Sequence, residues 1–151
     1  MTATRADPLA GPVVIDASVV VEYLVAISLT AEARSVFRSV LERDVELWAP
    51  DLLYAESASA LRRLVRLRAI GSVEATTAIG RLSRLPITTT GTGGLMDRVW
   101  ELRQTLTAYD ACYVALAESI GGPLVTADRK LVRACLPART RARAIFLGDI
   151  R

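Results

Sequence analysis

An α/β fold, with helices on both faces of a parallel four- to five-stranded sheet, is what this sequence predicts. Three observations predict it. The strand-like segments are short, rich in β-branched residues and apolar without alternation, the pattern of strands buried on both faces. Successive strands are separated by stretches of helical periodicity, which act as crossovers and force parallel pairing. The 151 residues suffice for one domain with a substantial core.

Taken in order, residues 1–12 carry Pro8, Gly11 and Pro12 without periodicity and read as a loose leader, leaving 13–151 as the single domain. PVVID, ending at Asp16, is the first strand, and either Asp16 or Ser18 caps a short helix over 19–27. Thr30, Glu32 and Ala33 open a second helix that runs to about Arg43, and VELWA is the second strand. Pro50 and Asp51 start a long helix, with Asp51 at its N-cap, reaching about Ala69 and stopped near Gly71. A further helix spans Ser72 to about Leu85. PITTT follows as the third strand, with Gly91, Gly93 and Gly94 loosening the turn after it. Helical patterns then cover 95–104 and the segment from Thr107 to Gly121–Gly122. PLVTA is the fourth strand, 129–135 a short helix, and RAIFL a fifth strand. No internal repeat or low-complexity tract interrupts this order.

Composition narrows the chemistry. The net charge of +3 is 19 basic minus 16 acidic residues, and Lys130 is the only lysine beside 18 arginines. Arginine presents a planar fork that matches phosphate, so nucleic acid is a permitted partner, although a GC-rich genome produces the same bias. There is no histidine, which excludes His-based acid–base pairs, His triads and His zinc sites. Cys112 and Cys135 have no metal-type spacing, and no signal peptide precedes Val13, so a cytoplasmic protein with reduced thiols is expected. Asp16 and Glu22 interrupt the longest apolar stretches, which argues against a membrane span. Counted with glycine and without tyrosine, the apolar share is about 55%, above the average of ~45–50%. That surplus must be buried in the core or against a partner.

Four carboxylates stand where elements begin or end. Asp16 closes VVID, Glu56 lies early in APDLLYAESASALRRL, Asp110 opens TAYDACYVALAES, and Asp128 closes PLVTAD. Each also has a local explanation. Asp16 and Asp128 suit helix caps, and Asp110 suits N3 of a capping box whose N-cap is Thr107. Glu56 suits a solvent-facing position or a pair with Arg63. Their joint placement says more. Ligands of open parallel sheets bind beyond the carboxyl ends of strands, where strand order reverses. Asp16 and Asp128 would both point there if the first and fourth strands were neighbours. Gathered carboxylates attract hard cations such as Mg²⁺, and such a centre suits attack on a phosphodiester.

VVIDASVVVEYL, APDLLYAESASAL, LTAYDACYVALAE and PLVTADRKL resemble, in order, the four motif blocks of the PIN domain. The likeness spans about 13–148 and is nearest to the VapC toxins of bacterial toxin–antitoxin pairs. It implies a three-layer PIN-like fold and a divalent-metal-dependent endoribonuclease. Asp16, Glu56, Asp110 and Asp128 would be the catalytic and Mg²⁺- or Mn²⁺-binding acids, with Thr126 and Ser18 as supporting hydroxyls. It further implies a homodimer and a cognate VapB-type antitoxin whose tail fills a groove. The family often has Asn three residues after the helical acid, where this chain has Ser59, a shorter side chain.

Between Arg62 and Arg84 there are six arginines and a single acid, Glu74. Arg62 and Arg66 share a helix face, either a solvated surface or a rim holding RNA phosphates. The few aromatics, Trp48, Trp100, Tyr54, Tyr109 and Tyr113, read as core or interface residues. Two other functions compete. A phosphoacceptor signalling domain expects paired acids after the first strand and an acceptor Asp after the third, and neither is present. A PIN-like module that binds RNA or protein without cleaving expects one or more acids to be lost, and all four stand.

Overall fold

Five strands pair in parallel into one sheet: β1 (Pro12–Ile15), β2 (Glu46–Pro50), β3 (Ile87–Thr90), β4 (Leu124–Thr126) and β5 (Ala144–Phe146). Their spatial order is β3-β2-β1-β4-β5. The computed structural model describes residues 9–150, so most of the expected leader lies outside the described residues. Within it, Leu9 is buried against the core, and β1 starts at Pro12.

The central strands have the residues that burial on both faces requires. Val13, Val14 and Ile15 of β1 are fully buried, as are Leu124 and Val125 of β4. The chain moves from β1 to β2 and β3 on one side, then crosses to β4 and β5 on the other. The reversal therefore falls between β1 and β4, where Val14 pairs with Leu124 and Ile15 with Val125. That is the conditional neighbour relation on which the sequence reading of Asp16 and Asp128 depends.

Helices complete the three-layer α/β/α arrangement. α1 (Ala17–Leu24) packs on α2 (Thr30–Glu42), α3 (Leu53–Arg66) and α4 (Ser72–Leu82). α6 (Ala108–Ile120) packs on β1, β2 and β4, with α5 (Met96–Glu101) beside it, and α7 (Arg129–Ala134) lies against β4 and β5. α6 is buried continuously from Ala111 to Ala117. Tyr23 and Phe37 stack at 4.0 Å between α1 and α2. Cys112 and Cys135 are both buried and free.

Some boundaries differ from expectation, each for a local reason. α1 begins at Ala17, because Asp16 caps it directly at the strand end and leaves no loop. α3 has Leu52 at its N-cap without a side-chain bond, so Asp51 does not cap it. Its end comes early, where Arg68 adopts a left-handed φ of 57° and turns the chain. The segment around 95–104 is split, with a 3₁₀ turn on either side of α5.

Two details fix the lower part of the sheet. Gly121 closes α6 at φ 67°, and a side chain on Gly122 would collide with the Pro12 carbonyl, so β4 starts only because position 122 lacks one. Glu118 has a side chain only 2% exposed. It accepts from Arg98 Nε at 2.6 Å and Nη2 at 3.0 Å, and from the Arg141 backbone N–H at 2.8 Å. Burial pushes its carboxyl upward, but these donors prevail and hold it below the ordinary range. The buried acid thereby ties α5 and the segment before β5 to α6.

Candidate active site

Asp16 sits at the reversal point and is held by the first turn of α1 and by β4. It is 8% exposed. Its Oδ1 accepts from the Ser18 and Val19 backbone N–H groups at 3.1 and 3.3 Å, and from Ser18 Oγ at 2.5 Å. Its Oδ2 accepts from Thr126 Oγ1 at 2.5 Å, across the β1–β4 seam. Both hydroxyls are engaged on their other side as well. Thr126 Oγ1 accepts from the Asp128 N–H at 2.9 Å, and Ser18 Oγ accepts from the Ala127 N–H at 2.8 Å. Each therefore has its proton committed to Asp16. Burial drives the Asp16 carboxyl up to about 6, against the four hydrogen bonds that favour its charged form.

Glu56, on the first turns of α3, is neither fully solvent-facing nor paired with Arg63. Its Oε2 accepts from the Tyr113 hydroxyl of α6 at 2.5 Å. Burial raises its carboxyl and the nearby Asp110 charge adds to the rise, while the Tyr113 bond opposes both. Asp110 occupies N3 of α6, where its own N–H donates to the Thr107 side chain at 3.2 Å. Its carboxyl is also raised, by burial first and then by the charge of Asp128, with the Thr107 bond opposing. Asp128 caps α7 by accepting from the Lys130 N–H at 2.7 Å. The helix-cap readings of Asp16 and Asp128 and the shared-field reading thus hold together, since a capping carboxylate keeps unused lone pairs.

The four acids form a connected set. Asp16 reaches Asp128 through Thr126, Asp128 raises Asp110, Asp110 raises Glu56, and Tyr113 senses both Glu56 and Asp16. Among the described residues none of the four has an Arg or Lys ion pair; the ion pairs there involve Glu42, Glu101 and Glu118. Also among the described residues, no three acidic, Cys or His side chains are drawn together closely enough to form a finished coordination set. The donor chemistry suits a hard divalent cation, which takes carboxylate oxygens, and such a cation would relieve the burial and neighbouring acid charge that raise Glu56 and Asp110. Coordination would require their side chains to close inward.

Beside Glu56 lies a cleft of about 420 Å³ lined by Ala55, Glu56, Ser59 and Tyr109. Ser59 faces that space where a longer side chain would partly fill it. Arg62 and Arg66 are exposed on α3, and so is Arg63, which lies about two turns along the same face as Glu56. Tyr109 is 64% exposed and Trp100 68%, so these two are not core residues; Trp100 instead lies under Arg103 at 4.8 Å.

Tyr113 is the site residue that motif reasoning passed over. Its signal was present, because a buried tyrosine in an apolar helix must find a partner for its hydroxyl. It is 2% exposed, and burial, the bond to Glu56 and the charges of Glu56 and Asp16 keep it neutral.

Comparison with known proteins agrees with this geometry. A PIN domain is matched over residues 13–136. The chain is 40% identical over 119 residues to the VapC ribonuclease Mb0985 of Mycobacterium bovis, covering 79% of this chain and 87% of that protein. It is 38% identical over 132 residues to ribonuclease VapC3 of Mycobacterium tuberculosis, covering 86% and 93%. Among solved structures, PAE2754 from Pyrobaculum aerophilum superposes with a TM-score of 0.61 at 21% identity, covering 97% of this chain and 90% of that one. VapBC2 from Rickettsia felis, bound to a DNA fragment from its promoter, gives 0.63 at 11%, covering 89% and 98%. With the family match spanning most of the sheet and identity near two-fifths to the VapC ribonucleases, the chain belongs to the PIN-domain family, on its VapC ribonuclease side.

Proposed function

We propose that this chain is the toxin of a type II toxin–antitoxin pair, an endoribonuclease that hydrolyses RNA phosphodiester bonds with Mg²⁺ or Mn²⁺. Residues 13–151 act as one catalytic domain. The observation that carries the reading is the grip on Asp16. A buried carboxylate fixed by four donors at the strand-order reversal is costly to fold without a functional return. The relatives at about two-fifths identity are VapC ribonucleases, which supports the activity.

In this reading Asp16, Glu56, Asp110 and Asp128 hold the metal, which when bound acidifies water and offsets charge on the phosphate. Ser18 and Thr126 keep both Asp16 oxygens aimed at the crevice. Tyr113 fixes Glu56 through Oε2, leaving Oε1 for the cation, which would itself lower the pKa of a bound water in a chain that has no histidine to act as base. Arg62 and Arg66, with Arg63 between them, hold the RNA backbone along α3.

Leu41, Leu67 and Val73 are more than half exposed, an apolar surface that favours a homodimer and a VapB-type antitoxin as its covers. VapBC2 of Rickettsia felis, which shares the fold, supports a partner of this kind. No helix among the described residues is long and apolar enough to cross a membrane, and we place the protein in the cytoplasm.

The test is to incubate the purified chain with total RNA and Mg²⁺ and to map new 5′ ends by sequencing. New ends that vanish with chelator are expected. RNA that is bound but never cut, at any divalent cation tried, would leave a silent binding module in its place.

A further inference from the structure

We propose a second RNA contact on the opposite side of Asp16 from α3: a nucleotide subsite built by Arg129, Phe146 and Arg133. It rests on the ribonuclease reading and extends it. The Arg129 guanidinium carbon lies over the Phe146 ring, 3.7 Å from its centroid. The two residues, with Val132, Arg133 and Asp149, line a cavity of about 160 Å³.

Position gives this pair its meaning. Phe146 is the register partner of Thr126, the residue that donates to Asp16. Parallel strands lie about 4.8 Å apart, so the ring stands one strand beyond the Asp16 grip, at the same carboxyl edge of the sheet. Arg129 follows Asp128 directly in sequence. A strand of RNA whose scissile phosphate reaches Asp16 and Asp128 therefore has this cavity beside it at the same edge of the sheet.

The chemistry fits a flanking nucleotide. Phe146 backs the Arg129 guanidinium, and Arg129 is exposed, so the pair can offer a cationic platform for a base to stack on. Arg133, one helical turn on and also exposed, supplies charge for the adjoining phosphate. Asp149 at the cavity wall accepts hydrogen bonds, which favours bases that present an amino group. The protein would then hold RNA on both sides of the cut, with α3 on one side and the Arg129 stack on the other.

Fluorescein-labelled single-stranded RNA, titrated in EDTA so that no cleavage intervenes, tests the subsite. Arg129→Gln should weaken binding about tenfold and lower the salt slope by about one. Arg129→Lys should keep the slope yet still lose affinity, because its charge remains and its plane does not. Phe146→Leu should reproduce the Lys variant. Shortening the RNA from one end should abolish the difference between wild type and Arg129→Gln, and shortening from the other should not. Wild-type binding and cleavage with an unaltered Arg129→Gln, or an Arg129→Lys equal to wild type, overturns the subsite alone. A wild type that neither binds nor cleaves RNA overturns the ribonuclease reading itself.

Discussion

The Tyr113 hydroxyl donates to Glu56 Oε2 at 2.5 Å and joins α6 to α3, the two helices that bring acids to the sheet edge. The same tyrosine lies in the field of Asp16. One side chain thus sets the spacing between a strand-end acid and a helix acid that are 40 positions apart in sequence.

Replacing Tyr113 by Phe should keep the fold and remove one hydrogen bond, a loss of about 1 kcal/mol. Glu56 would lose the bond that favours its charged form, and its carboxyl would rise further. RNA cleavage should fall about 10- to 100-fold, the usual cost of losing a group that orients a metal-binding side chain. Steady-state cleavage beside a thermal melt checks both parts; wild-type rates would make Tyr113 a packing residue only.

Asp16→Asn should abolish metal-dependent cleavage and leave the circular dichroism spectrum unchanged. The amide keeps the size of the carboxylate and its Oδ1 can still accept from Ser18 and Val19, but its Nδ2 can only donate to Thr126 and it carries no charge for a cation. Cleavage near the wild-type rate in Mg²⁺ would remove Asp16 from the chemistry.

The pH dependence of the metal-free protein follows from the same residue. Unfolded, Asp16 releases its proton near 3.8; folded, it does so at about 6. Between those values the native state binds more protons, so stability falls as pH rises through the window, by at most about 3 kcal/mol. Glu56 and Asp110, also raised, add in the same direction, whereas Glu118 is lowered and acts oppositely. Comparing melts of wild type and Asp16→Asn in chelator from pH 4 to 8 isolates the effect. The variant should gain on the wild type as pH rises, and parallel curves would contradict the desolvation of Asp16. Adding Mn²⁺ should stabilise wild type more at pH 7 than at pH 5, since protons and metal compete for these oxygens.

Ser57, next to Glu56 on α3, is fully buried, and its Oγ has no hydrogen-bond partner. Ser57→Ala should therefore raise stability by about 1 kcal/mol, by removing a desolvated hydroxyl. A denaturant titration measures it. A clear loss of stability instead would reveal an ordered water bonded to that hydroxyl.

The central strands β1 and β4 were legible because burial on both faces leaves a simple signature, the short non-alternating run of VVI or LVT. Helix ends at Gly121 and the cap at Thr107 were legible because each depends on one residue's local chemistry. Asp51 misled for the complementary reason: the residue type suits a cap, but the chain continues from β2 through Leu52 and leaves that carboxylate aside. The strand order β3-β2-β1-β4-β5 was not legible, since no local signal states which side of β1 the fourth strand joins. The site inherits that limit. Its acids could be named from their motifs, whereas the Tyr113 bridge and the Arg129–Phe146 stack exist only once distant elements meet.

Asp16 and Thr126 are 110 residues apart, and this separation gives the site a schedule. A chain emerging from the ribosome has Asp16 almost at once, but its clasp appears only after most of the sequence has been made. At ~5–20 residues per second that interval is on the order of ten seconds. Until then Asp16 lacks the Thr126 hydroxyl, and Asp128 has not yet been made. The proposed nuclease therefore completes its set of acids only when synthesis is nearly finished.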